Sequence, residues 1–113
     1  MAQYQIQPGI PKKLVDVGGV GAGVNSIAFG VPQTPHKGPR TITWRTAYTG
    51  PPSAVNVVLQ GAINDVDAEY FTLDTSTATA GETRAVNNAN IRFIRARLVS
   101  HTGATSWTVE VYI

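Results

Sequence analysis

The chain changes character near residue 40, and that change limits what it can fold into. Residues 41–48 (TITWRTAY), 54–62 (AVNVVLQGA), 91–99 (IRFIRARLV) and 106–113 (SWTVEVYI) alternate or run apolar over strand lengths. Residues 1–39 instead hold seven of the 11 glycines and five of the seven prolines. Proline lacks a ladder donor and glycine brings no side chain to pack, so this third is not expected inside the same sheet. The expected architecture is all-β: a small antiparallel β-sandwich, jelly-roll or immunoglobulin-like, over 40–113. An extended Gly/Pro-rich N-terminal arm over 1–39 precedes it. An arm in front of a sandwich is the pattern of a protein that builds assemblies.

Composition narrows the function classes. Charged residues are 14% of the chain, against roughly 25% in an ordinary soluble domain. A surface so poor in charge is either covered by something or carries a Thr/Asn/Gln-rich face in water. A net charge of +2 is too small to argue for nucleic acid. With no cysteine, neither disulfides nor a Cys-based zinc site can stabilise the fold. The first 15 residues contain Pro8, Pro11, Lys12 and Lys13 and no apolar core, so no secretory signal is expected. No stretch approaches the roughly 20 apolar residues of a spanning helix, so no membrane partner is expected.

Period-2 alternation sets the faces. Ile42, Trp44, Thr46 and Tyr48 share one face, and Val55, Val57 and Leu59 share another, with Val58 partly covered. Trp44, Leu59, Leu98, Trp107 and Val109 are expected in the core. Residues 14–24 (LVDVGGVGAGV) carry four glycines, which disfavours helix and suits a bent strand or a backbone packed closely on a partner. Residues 91–99 and 106–113 allow two arrangements. A hairpin around Thr102 and Gly103 would set Leu98 opposite Trp107, Arg95 opposite Glu110 and Phe93 opposite Tyr112. The other arrangement is an arch between two sheets.

No catalytic or cofactor signature emerges, and neither enzyme activity nor a cofactor is expected. The glycine-rich stretch has no GxGxxG spacing and no following Gly-Lys-Ser/Thr. Asp65, Asp67 and Glu69 alternate after Asn64, but the loop lacks the glycine and terminal glutamate of a helix–loop–helix calcium site, so a solvated acidic turn is expected. His36 and His101 lie far apart in loops, and no serine sits in a GxSxG elbow. Arg45, Arg84, Arg92, Arg95 and Arg97 form the one basic group of note. They read as an outward stripe paired with acids or with a neighbouring subunit. The arm's Tyr4, Ile6, Ile10, Leu14, Val15, Val17 and Phe29 are expected to dock on a partner, and Phe93, Arg95, Arg97 and Tyr112 to form an exposed strand face that does the same. On this view, deleting residues 1–24 leaves a folded sandwich that no longer assembles.

The stretches VVLQGAIN, YFTLDTSTATAGE and IRFIRARLV, then a Gly-containing turn and SWTVEVYI, resemble small virion proteins of tailed bacteriophages. The resemblance runs from Ile42 to Ile113. It is to β-sandwich modules of the capsid decoration, or cement, type. It implies a jelly-roll or immunoglobulin-like sandwich without enzymatic activity. It also implies a homo-oligomer, dimer or trimer, made in the host cytoplasm and placed on the virion. The implied partner is the major capsid protein or another virion protein. The alternative is a tail or fibre module that recognises a cell-surface glycan. Such a module needs exposed aromatics, whereas Trp44 and Trp107 fall on core faces.

Overall fold

The computed structural model of the chain describes residues 4–21, 23–32, 40–87 and 89–113, with Tyr4 described by its backbone. The strands are β1 (Tyr4–Gln5), β2 (Lys12–Gly18), β3 (Val24–Asn25), β4 (Phe29–Gly30), β5 (Ile42–Thr49), β6 (Ala54–Ala62), β7 (Phe71–Ser76), β8 (Thr83–Val86), β9 (Phe93–Thr102) and β10 (Ser106–Tyr112). They form two sheets packed as a sandwich. One has the order β1-β4-β9-β6-β7, with β3 also paired to β9; the other has the order β2-β10-β5-β8. All pairings are antiparallel except the short parallel contact of β1 with β4.

The inner faces follow the alternation of the sequence. Ile42, Trp44 and Thr46 of β5, Val55, Val57 and Leu59 of β6, Ile94, Ala96 and Leu98 of β9 and Trp107, Val109 and Val111 of β10 are all buried. Each tryptophan removes on the order of 200 Å² from water, so the two indoles anchor the core. Both keep their N–H satisfied. Trp44 Nε1 donates to Asp74 Oδ2 at 2.9 Å and Trp107 Nε1 to the Gly19 carbonyl at 3.0 Å.

The N-terminal third is not a free arm. Its described part builds β1 to β4 into both sheets, and Ile6, Leu14 and Phe29 are buried in the chain's own core. The expectation that these residues dock on a partner is therefore corrected. Val15 is half-buried against the same core, while Ile10 and Val17 are exposed. The side chain of Tyr4 lies outside the described residues, as does His36. The physical reason is the edge of β10. Left unpaired, its main-chain groups and the flank of Trp107 would face water, and β2 covers both. The glycines make that approach possible. A Cβ on Gly18 would come within 3.2 Å of Trp107 Nε1 and 2.4 Å of Val15 Cγ1. The close-packed partner expected for this segment is thus the protein's own indole.

The last two long strands form the inter-sheet arch. β9 pairs with β6, β3 and β4, whereas β10 pairs with β5 and β2. Leu98 and Trp107 still face the common core, but from opposite sheets. Glu110 therefore meets Arg45 across the β5–β10 ladder, 3.7 Å away, and not Arg95. The three residues Gly103–Thr105 span the sheets, and Gly103 takes a positive φ of 90° at the bend.

One lateral margin of the sandwich is closed by charge. Arg84 of β8 grips Asp74 of β7 through Nε at 2.7 Å and Nη2 at 3.1 Å. Glu82 accepts from Ser76 Oγ at 2.6 Å. These contacts tie the outermost strands of the two sheets together. They also place inward-pointing charges on both free edges, which discourages strand addition there.

Candidate functional site: an apolar end of the sandwich

Strand direction brings five of the eight exposed large apolar side chains among the described residues to one end. The arch joins the end of β9 to the start of β10, so the start of β9 and the end of β10 lie together at the opposite end. Pairing brings Ala62 beside Phe93 and Phe71 beside Gly61 at that end of one sheet, and Tyr112 beside Thr43 at that end of the other. Gly9 N–H donates to the Ile113 carbonyl at 2.9 Å, which holds residues 9–11 there as well. The end therefore carries Ile63 (60% exposed), Ile10 (55%), Phe71 (52%), Val66 (48%) and Tyr112 (47%). Large apolar side chains gathered on one end mark a surface for contact.

The acidic turn supplies the rigid part of this end. A 3₁₀ turn at Asp67–Glu69 folds the β6–β7 connection back over the outer face of the first sheet. Arg95 is its anchor. Its guanidinium stacks 4.0 Å from the Tyr70 ring centroid, donates from Nη1 to Asp67 Oδ1 at 2.7 Å and from Nε to Gln60 Oε1 at 2.8 Å. Tyr70 Oη donates to Asp65 Oδ1 at 2.7 Å, and Asn64 Nδ2 to Glu69 Oε1 at 3.0 Å. The Tyr70 hydrogen bond holds the Asp65 carboxyl below its ordinary range, while burial and then Asp65 push the Tyr70 phenol up. Each carboxylate of the turn thus has its own partner, and the three do not converge on a shared point. Among the described residues, no group of three or more His, Cys, Asp or Glu is placed to hold a metal ion.

The expected strand face is divided. Phe93, Arg95 and Arg97 lie on the outer side of one sheet and Tyr112 on the outer side of the other, because the arch separates β9 from β10. Arg95 is covered by the turn, its side chain only 11% exposed, and so is not an open partner-binding residue. Arg97 donates from Nη1 to Asn25 Oδ1 at 2.9 Å, and Arg92 lies 5.6 Å from the Phe93 ring centroid. Of the expected strand-face residues only Tyr112, and of the expected arm residues only Ile10 and Val17, present large apolar surface to water among the described side chains; Ile27, also in the N-terminal third, is exposed as well. Ile63, Val66 and Phe71 were not anticipated. They stand singly in a polar loop or at a strand start, and no periodicity marks a lone apolar residue as exposed.

Two shallow grooves open beside this end. One, of about 160 Å³, runs along Thr43, Arg45, Glu110 and Tyr112, with Pro11 and Thr83 on its margins. The other, of about 200 Å³, is lined by Gln5, Gln7, Ile10, Pro11 and Lys12. No family model, curated protein or solved structure matches the chain.

Proposed function

We propose that the protein is a structural virion subunit of the capsid decoration, or cement, type, which holds neighbouring shell proteins. The observation that carries this is the apolar end: Ile10, Ile63, Val66, Phe71 and Tyr112 are exposed together on a compact, charge-poor sandwich. The clamp is the folded body rather than a trailing arm, since Ile6, Leu14 and Phe29 are spent on the core. A rigid body loses little conformational freedom on docking, which favours tight attachment through a small patch. Symmetric repetition on a shell multiplies weak contacts. The resemblance of residues 42–113 to phage virion modules points the same way. The test is redecoration: particles lacking the protein are incubated with wild type or with Phe71→Ser/Tyr112→Ser. Wild type restores full occupancy and the double variant does not. A double variant that binds as well as wild type removes the apolar end from the mechanism.

The second reading, a glycan-binding module of a tail or fibre, draws on the groove beside Tyr112. An exposed ring flanked by Arg45, Glu110, Thr43 and Thr83 offers both a stacking face and hydrogen-bonding groups. Retention on a panel of immobilised cell-surface glycans, abolished by Tyr112→Ala, would favour it over the cement role.

A further inference from the structure

The carboxylates of the chain are all occupied, and some of its cations are not. Of the seven Asp and Glu side chains, Asp16 faces Lys13, Asp67 faces Arg95, Asp74 and Glu82 face Arg84, and Glu110 faces Arg45. Asp65 and Glu69 accept hydrogen bonds from Tyr70 and Asn64. Lys37 lies outside the described residues. Among the described cations, Lys12, Arg40, Arg92 and Arg97 therefore face no side-chain carboxylate. The first three stand together around residues 29–32. Lys12 Nζ lies 5.5 Å from the Phe29 ring centroid, the Arg92 carbonyl accepts from the Val31 N–H at 2.7 Å, and Arg40 Nη2 donates to the Pro32 carbonyl at 2.6 Å. Lys12 opens β2 opposite Val111, Arg40 precedes β5 and Arg92 precedes β9, so all three belong to the apolar end. Lys12 and Arg92 are exposed there, and Ile10 and Tyr112 are their apolar neighbours on the β2 side. Arg97 stands apart, in the middle of β9, bonded to Asn25.

We infer that this end takes an acidic polypeptide segment of a partner protein, its carboxylates over Lys12, Arg40 and Arg92 and its apolar side chains against Ile10 and Tyr112. Cations without counter-charges, on a surface otherwise short of charge, select an occupant of opposite sign. The exposed apolar side chains beside them give that occupant something to bury, which a phosphate backbone does not supply. Three cations are also few for the counterion release that holds nucleic acid. An anionic bilayer is disfavoured because Asp65, Asp67 and Glu69 stand on the turn at the same end and would be pressed against its negative surface. A polypeptide places acids over the cations and neutral side chains over the turn. The inference deepens the virion reading by stating the chemistry that a shell protein presents to this end, and it rests on that reading only for the source of the segment.

The probe is a capped synthetic peptide, Leu-Asp-Asp-Leu-Asp-Asp-Leu, titrated into the full chain and followed by heteronuclear NMR, with its Asn-for-Asp counterpart as the neutral control. The acidic peptide binds with a Kd below about 1 mM and shifts the amides of residues 12, 29–31 and 92. Its binding weakens several-fold as salt rises from about 0.05 to about 0.5 M, since exposed charges are screened. The neutral peptide does not bind. Lys12→Gln/Arg92→Gln weakens binding by about tenfold, whereas Arg97→Gln, which removes an equally unpaired cation away from the end, leaves it unchanged. Glutamine keeps the side-chain stem and both positions of the double variant are exposed, so its thermal transition matches wild type. In the redecoration experiment the double variant loses occupancy and Arg97→Gln does not. Wild type that binds the peptide but fails to redecorate particles removes the virion reading and leaves this inference standing. Full redecoration by the double variant does the reverse. Absence of peptide binding at about 1 mM, equal binding of the neutral peptide, or equal loss in Arg97→Gln overturns the inference. Retention on phosphatidylserine vesicles or on oligothymidylate that the double variant abolishes assigns the cations to a different class of partner and overturns it as well.

Discussion

Two side chains at one margin of the core show how polar groups are managed in a sandwich this small. The Trp44 indole is buried, yet its N–H reaches Asp74, which in turn is held by Arg84 at 2.7 and 3.1 Å. Burial alone would raise the Asp74 carboxyl, but hydrogen bonds from Arg84, Trp44 and the Thr75 N–H outweigh it and hold the group below its ordinary range. A carboxyl depressed in the folded state contributes stability above its unfolded value, near pH 4, and loses it as pH falls through the folded value. Asp74→Asn should therefore flatten the loss of stability below about pH 4, measured by urea unfolding at successive pH values. A variant with the acid dependence of wild type would show that other carboxyls dominate. Truncating Trp107, which packs on Gly18 and bonds Gly19, should cost about 3–5 kcal/mol as Trp107→Ala. Chemical denaturation reads this directly, and a loss under about 1 kcal/mol would contradict its burial.

At the scale of the element, β2 is the piece most at odds with its composition. It is an edge strand with two register shifts against β10, and Val17, at φ 50°, is the extra residue of one of them. Its amide is satisfied by Thr108 Oγ1 at 3.0 Å instead of by a ladder carbonyl. Bulges and the exposed Lys12 and Lys13 keep this edge from accepting a further strand. The strand is nonetheless structural. Leu14 from β2 and Ile6 before it are each worth about 2–5 kcal/mol when truncated, against a total of about 5–15 kcal/mol for a domain. Deleting residues 1–18 should abolish the cooperative thermal transition, in contrast with the expectation from composition that the sandwich survives without its N-terminus. Calorimetry of the truncated chain decides between them.

At the scale of the molecule, stability and contact are carried by different surfaces. The core runs along the full length of both sheets, whereas five of the eight exposed large apolar residues among those described gather at one end, Val17, Ile27 and Val99 lying elsewhere. Because Ile63, Val66 and Phe71 are outside the core, replacing all three with serine should leave each site within about 0.5 kcal/mol of wild-type stability. The same triple variant should lose particle occupancy. A fall in melting temperature comparable to that of a core truncation would mean that these side chains support the fold and not a contact.

Sequence alone determined the all-β class, the inner faces of β5, β6, β9 and β10, and the burial of Trp44, Leu59, Leu98, Trp107 and Val109. Alternation with a period of two dictates which side chains share a face, whatever the strands pair with. It also left open whether the last two strands form a hairpin or an arch, because both arrangements bury the same residues. Only tertiary structure chose the arch, by giving β10 the partners β5 and β2 and so moving Glu110 to Arg45 and Tyr112 away from Phe93. The fate of the N-terminal third was decided in the same way. Glycine and proline report that a segment is a poor strand by itself. They do not report that a neighbouring indole needs a backbone without side chains to lie against it, as Trp107 does at Gly18 and Gly19. The apolar end was illegible for a related reason. Ile63, Val66 and Phe71 look like any other apolar residues in a string of letters, and their exposure follows from a turn folded outward and fastened by Arg95 from a strand 25 or more residues away.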